Sequence, residues 1–273
     1  MKFKKTMILN FIFLFGILMV LTSCNQSSEP PVDNWQLVWQ DDFNSAAGSL
    51  PDSTNWVYDI GTGWGNNQLE YDTNRPQNVS TDGNGNLVIT ALKESYNGQQ
   101  YTSARITTKG KFEFTYGKIE ARMQLPWGQG IWPAFWMLGS NIDVVPWPGC
   151  GEIDIMELFG QQPYRVMGSL HGPGYSGGNA LTQHYDLFDG RFDTGFHTFT
   201  AEWGENYVKF FVDGNLYQTF VPSDANGTWV FNHPFYIILN LAVGGNPPGS
   251  PNSSTVFPQK MIIDYVRVYQ QGQ

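Results

Sequence analysis

The chain of 273 residues predicts an all-β domain, a sandwich or barrel that its length narrows to a jelly roll. Two observations point there. Helical periodicity is almost absent, while short runs rich in β-branched and aromatic residues recur between turn signals. Aromatic residues reach 15% and glycines number 30, the composition of a turn-rich β fold that presents flat rings to a ligand.

The first element is a leader. Lys2, Lys4 and Lys5 precede an apolar run from Met7 to Leu21, broken only by Asn10 and Gly16, and Leu21-Thr22-Ser23-Cys24 follows. A basic start, a short apolar stretch and small residues before a cut describe a secretory signal over residues 1–23. The run is short for a membrane span, which needs about 20 residues. Its end resembles the lipobox of bacterial lipoproteins. That resemblance implies lipidation of Cys24 and a membrane-anchored protein at the periplasmic face or the cell surface. Residues 24–34, with their Ser, Pro and Glu content, are expected to be a tether, and residues 35–270 the folded domain.

Within the domain, strands are expected at Leu87–Leu92, Arg105–Thr108, Lys111–Thr115, Lys118–Leu125 and Ala134–Leu138. They continue at Glu152–Leu158, Arg165–His171, Phe196–Trp203, Tyr207–Val212, Leu216–Phe220, Phe235–Val243 and Met261–Gln270. Asp213-Gly214 marks a hairpin between two of them. No internal repeat is present. Cys24 and Cys150 are the only cysteines, so no disulfide framework supports the fold and the core must suffice.

The formal charge is −9, and loss of the three leader lysines takes the mature chain to −12. Such a chain is a poor binder of nucleic acid, and a poor match to a sulfated glycan. The aromatic excess points instead to neutral sugars.

The chemistry is carried by Gly151-Glu152-Ile153-Asp154-Ile155-Met156-Glu157-Leu158. Side chains at i and i+2 of a strand share a face, so Glu152 and Asp154 point the same way. A regular strand would turn Glu157 away. One extra residue, absorbed as a β-bulge at Met156, returns Glu157 to the acidic face and leaves Ile153, Ile155 and Leu158 for the core. Four strand steps of about 3.3 Å put the outer Cα atoms roughly 13 Å apart. Glutamates leaning inward reduce the carboxyl separation to about 5–7 Å, nearer the retaining than the inverting geometry of glycosidases. The bland alternative is a solvated acidic strand or a set of calcium ligands.

Further motifs surround this strand: Gly63-Trp64-Gly65-Asn66-Asn67-Gln68-Leu69-Glu70-Tyr71, Tyr116-Gly117-Lys118-Ile119-Glu120-Ala121-Arg122 and Gly130-Ile131-Trp132-Pro133-Ala134-Phe135-Trp136. Leu170-His171-Gly172-Pro173 and Ile263-Asp264-Tyr265-Val266-Arg267-Val268-Tyr269 follow. With them the chain resembles glycoside hydrolase family 16, and the inserted Met156 resembles its laminarinase-type branch. The resemblance implies a jelly roll of two antiparallel sheets with a concave substrate cleft, and internal cleavage of β-1,3-glucosidic bonds. It makes Glu152 the nucleophile, Glu157 the general acid/base and Asp154 their hydrogen-bonding partner, with no catalytic cofactor.

The same resemblance assigns Trp132 and Trp136 to the cleft as sugar platforms, with Phe135 on the opposite, core-facing side. It also favours the cleft for Glu120, Arg122, Asn66 and Arg105, and brings His171 close to the acids. Asn240 sits inside an apolar run, where it either packs structurally or faces the ligand; Trp127 is a candidate for the rim. Asp264 shares a nominal face with Ile262, Val266 and Val268, where a lone carboxylate is costly. The resemblance implies a structural Ca2+ held by Asp264, Asp42 and the turn containing Gly83; the alternative is a salt bridge to an arginine. A monomer acting on β-glucan is expected. Rival functions are a galactan hydrolase of the agarase or carrageenase type and a non-catalytic glucan-binding lectin.

Overall fold

The structure is a computed structural model and describes residues 1–2 and 34–272. The compact unit begins at Asn34, and it alone is described below. The leader beyond its first two residues, Cys24 and the tether up to residue 33 lie outside the described residues.

Seventeen strands form two sheets. In chain order they are β1 (Trp35–Asp41), β2 (Val57–Tyr58), β3 (Glu70–Asp72), β4 (Val79–Thr81), β5 (Leu87–Tyr96), β6 (Gln99–Ser103), β7 (Arg105–Thr107), β8 (Gly117–Gln124) and β9 (Ile131–Gly139). Then come β10 (Glu152–Glu157), β11 (Arg165–His171), β12 (Leu181–Asp186), β13 (His197–Gly204), β14 (Tyr207–Val212), β15 (Asn215–Phe220), β16 (Phe235–Val243) and β17 (Gln259–Gln271). One sheet has ten strands in the order β15-β14-β13-β8-β17-β5-β6-β3, with β1 paired to β17 and β4 to β5. The other has seven, in the order β12-β11-β10-β9-β16-β7-β2. Pairing is antiparallel except between β3 and β6.

The core lies between the sheets and is built by strict alternation. On β8, Ile119, Ala121 and Met123 are buried while Lys118, Glu120 and Arg122 are partly exposed. Phe199, Ala201, Phe210, Ile263, Val266 and Val268 extend that apolar face across the larger sheet. Phe135, Met137, Ile153, Ile155, Met156, Ile237, Leu239 and Leu241 meet it from the smaller one. Removing these surfaces from water is the main drive to fold, and among the described residues no disulfide assists; Cys150 is a free, buried thiol. Phe135 is fully buried, as its place opposite the two tryptophans predicts.

The structure corrects several sequence expectations. Lys111–Thr115 is not a strand. It turns back on Thr108 through the Lys111 and Phe112 amides and makes only an isolated bridge from Phe114 to Phe235. The edge strands β1, β2, β3, β4 and β12 are short or carry too little alternation to be read from sequence. The slip in β10 is also placed differently by one residue. Asp154 pairs with Trp136 and Met156 with Phe135, so Ile155 is the residue without a partner on β9. Ile155 and Met156 are both buried.

Candidate active site

The smaller sheet positions the site through its register. Three rows of opposed residues cross it. Arg105, Asn240, Ala134, Glu157 and Met167 form the first, on β7, β16, β9, β10 and β11. Ile238, Trp136, Asp154, Ser169 and Thr182 form the second. Tyr236, Leu138, Glu152 and His171 form the third. These rows, apart from the buried Ile238 and Tyr236, and the loops above them line a cleft of about 700 Å3. All three acids face it, because the bulge between Asp154 and Glu157 restores the phase of the strand.

Each glutamate is held by an indole. Trp132 Nε1 donates to Glu157 Oε1 at 2.9 Å, and Trp147 Nε1 donates to Glu152 Oε2 at 2.9 Å. His171 Nδ1 accepts from the Gly177 amide at 3.1 Å. The remaining proton of a neutral imidazole is therefore on Nε2, which lies 2.9 Å from Asp154 Oδ2 and 3.7 Å from Glu152 Oε1. Burial, then the charge of Asp154, pushes Glu152 up to about 8, while His171 and the Trp147 N–H oppose the rise. Burial pushes Asp154 to about 8 against a hydrogen bond from Glu152. Glu157 reaches about 8 by burial and the charge of Asp154, opposed by His171 and Trp132. Three carboxylates in one dry row cannot all ionise, so protons are stored where a leaving group needs one.

Beyond the acids, Trp136 Nε1 donates to Asn240 Oδ1 at 2.8 Å. Arg105 lies between two rings, its guanidinium 5.1 Å from the Trp64 centroid and 4.9 Å from Trp136, and its Nε bonds Asp59 at 2.9 Å. Asn66, in the left-handed region at φ 51°, accepts the Asn246 amide at 2.6 Å, which ties two rim loops together. The expected residues Asn66, Arg105, Trp132, Trp136, His171 and Asn240 thus line the same cleft as Glu152, Asp154 and Glu157.

Glu120 and Arg122 do not. Both lie on β8 in the larger sheet, on the face turned away from the core. Glu120 accepts from Tyr269 Oη at 3.0 Å, and Arg122 bonds Asp264 at 2.5 Å and covers the Phe196 ring. Alternation shows that such a face is polar but not which sheet carries it. Trp127 is also absent from the cleft lining and stacks under Arg191.

The expected calcium set is divided. Asp264 is paired with Arg122 and Asp42 with Arg267 at 2.9 Å, so each acid already has its own guanidinium. Gly83 belongs to a turn that Asp82 caps through the Asn84 and Asn86 amides. The two carboxylates fit the salt-bridge alternative. A register shift between Ile263 and Tyr265 relieves the apparent burial, since it removes Asp264 from the stripe of Ile263, Val266 and Val268. Among the described residues, Glu152, Asp154 and His171 are the group with ligand atoms within 4.8 Å of one another. That set supplies fewer oxygens than the six to eight that calcium takes.

Trp147, Trp64, Phe159, Met167, Ser169 and Thr182 line the cleft and were not read from the sequence. For Met167 and Ser169 a signal existed, because they share the face of His171 at two-residue spacing. The loop residues Trp64, Trp147 and Phe159 have no periodicity to expose them.

The model of "Glycosyl hydrolases family 16" matches residues 66–267. The chain belongs to this family. The laminarinase catalytic domain of Thermotoga maritima is 48% identical, with a TM-score of 0.83 over 88% of this chain and 100% of that one. The beta-glucanase of Rhodothermus marinus is 38% identical over 98% of this chain and 96% of its own length. The clotting factor G alpha subunit of Tachypleus tridentatus is 41% identical over 89% of this chain, which spans 35% of that longer protein. In a family 16 hydrolase, the acidic row on β10 and the indoles holding it have a chemical purpose.

Proposed function

We propose that the chain is a retaining endo-β-1,3-glucanase that hydrolyses laminarin-like β-glucans by double displacement. The observation that carries this reading is the return of Glu157 to the cleft face beside Glu152 and Asp154. Glu152 attacks the anomeric carbon, and Glu157 gives its proton to the departing glycosidic oxygen. Glu157, now ionised, takes a proton from water, which displaces Glu152 with net retention. Asp154, only 5% exposed in its side chain and with its pKa raised by burial, holds a proton that it can donate to the attacking carboxylate. The β-glucan enters as substrate, with Trp136, Trp132 and the Arg105–Trp64 pair offering flat faces to its rings.

Digestion of laminarin, lichenan and agarose, with proton NMR of the first-formed anomer, tests the proposal. Laminarin should be cut fastest into short β-configured products, and Glu152→Ser should abolish release while the domain stays cooperatively folded. Release from agarose alone would favour the galactan hydrolase, and binding without release would favour the lectin. We also propose that the mature chain is a monomer anchored to a membrane through lipidated Cys24, as the basic start, the apolar run and Leu21-Thr22-Ser23-Cys24 suggest. Mass spectrometry of the mature N-terminus should find an acylated cysteine; an unmodified terminus would refute the anchor.

A further inference from the structure

The geometry points to Trp147 as a positioning residue for the nucleophile: its indole N–H fixes one oxygen of Glu152 and commits that glutamate to attack. This rests on the retaining reading above. Glu152 Oε2 accepts from Trp147 Nε1 at 2.9 Å, while its Oε1 lies 3.7 Å from His171 Nε2, whose proton is directed at Asp154 Oδ2 at 2.9 Å. The Trp147 and His171 ring centroids are 5.9 Å apart, so the indole is packed beside the acids it serves. The indole N–H on one oxygen stabilises the carboxylate over the acid and leaves it few rotamers.

The loop that carries Trp147 is anchored. The Gly149 amide bonds Pro146, the Gly151 amide bonds Pro148, and the Gly139 amide bonds Gly151. A Cβ on Gly139 would lie 1.9 Å from the Cys150 carbonyl, so the loop base is pressed against β9. Glu157 also accepts an indole, but its surroundings differ. Trp132 is 7% exposed and meets Phe159 edge-on at 5.8 Å. Trp147 is 44% exposed and reaches Glu152 from a loop. The two chemically identical side chains thus accept indole donors of different origin, one fixed in β9 and one carried by the loop between β9 and β10.

The titratable groups facing Glu152 are Asp154 and Glu157 on its own strand, His171 on β11 and Cys150 in the loop; β9 presents Leu138. Loss of the Trp147 donor leaves these unchanged and removes one stabiliser of the anion. Trp147→Phe keeps a ring and loses the N–H, whereas Trp147→Ala loses both.

The test is laminarin kinetics against pH for wild type, Trp147→Phe and Trp147→Ala, with melting curves for each. Trp147→Phe should lower kcat about tenfold to a hundredfold, the scale of a charge-assisted hydrogen bond. Its KM should stay within about twofold, and the acidic limb of kcat/KM should move to higher pH, a shift that a purely structural residue would not give. Trp147→Ala should lose kcat equally and raise KM. Wild-type kcat and an unmoved acidic limb in Trp147→Phe would overturn the proposal, as would a change in KM alone. Glu152→Ala supplied with azide tests the nucleophile separately: azide should attack the anomeric carbon, the glycosidic oxygen should leave with the Glu157 proton, and an α-glycosyl azide should form. Failure of that rescue would remove the nucleophile assignment and this proposal with it. Rescue beside an unaltered Trp147→Phe would remove this proposal alone.

Discussion

Asp154 shows how far this fold gives up stability for chemistry. Its side chain is 5% exposed, and its pKa is pushed to about 8. In the unfolded chain it ionises near 4, as an ordinary aspartate does. Between those values the folded state binds the proton and the unfolded state does not. Stability therefore falls as pH rises from about 5 to 8, and levels off above 8. Glu152, Glu157 and the buried Glu70, pushed to about 7, act in the same direction. Each such group can contribute up to about 1.4 kcal/mol per pH unit across its window. The melting temperature of the ligand-free protein should rise steadily as pH falls from 8 toward 5. Asp154→Asn should melt several degrees higher than wild type at pH 8, with a flatter pH dependence and much-reduced hydrolysis. Identical slopes in thermal melts of the two proteins would contradict this account.

At the scale of the element, one extra residue in β10 has to be absorbed for the strand to be catalytic. Ile155 has no opposite number on β9, and the bulge that takes it up keeps Glu157 on the face of Glu152 and Asp154. Deleting Ile155 leaves Glu-Ile-Asp-Met-Glu, a regular strand whose two-residue spacing holds all three acids on the cleft face without a bulge. Laminarin hydrolysis should therefore persist at a lower rate, while the melting temperature drops because the buried Ile155 side chain is lost. Complete loss of turnover in a deletion that still melts cooperatively would contradict this account. The sequence made this slip legible because acids marked both sides of it. An equivalent slip in β17 was illegible: Asp264 stands alone there, and a single carboxylate cannot show which way the strand has turned. Reading β17 as regular produced the apparent buried acid.

At the scale of the whole molecule, the sandwich was legible because alternation alone defines two-faced strands. The order of those strands was not. Glu120 and Arg122 form a polar face as regular as that of Trp132 and Trp136, yet one lies outside the larger sheet and the other lines the cleft. Only pairing between strands distant in sequence separates them, such as β8 with β17 and β9 with β16. Aperiodic loops hid Trp64 and Trp147 for the same reason, since long-range packing alone carries them to the cleft.

The rows that cross the smaller sheet also set a unit of length. Neighbouring strands lie about 4.8 Å apart, comparable to the advance of one sugar along an extended chain. A polymer laid perpendicular to the strands meets a fresh one at nearly every ring, from Arg105 on β7 to Met167 on β11. The backbone ladder is then a ruler with a reaction mark on β10, and where a chain is cut is counted in strands.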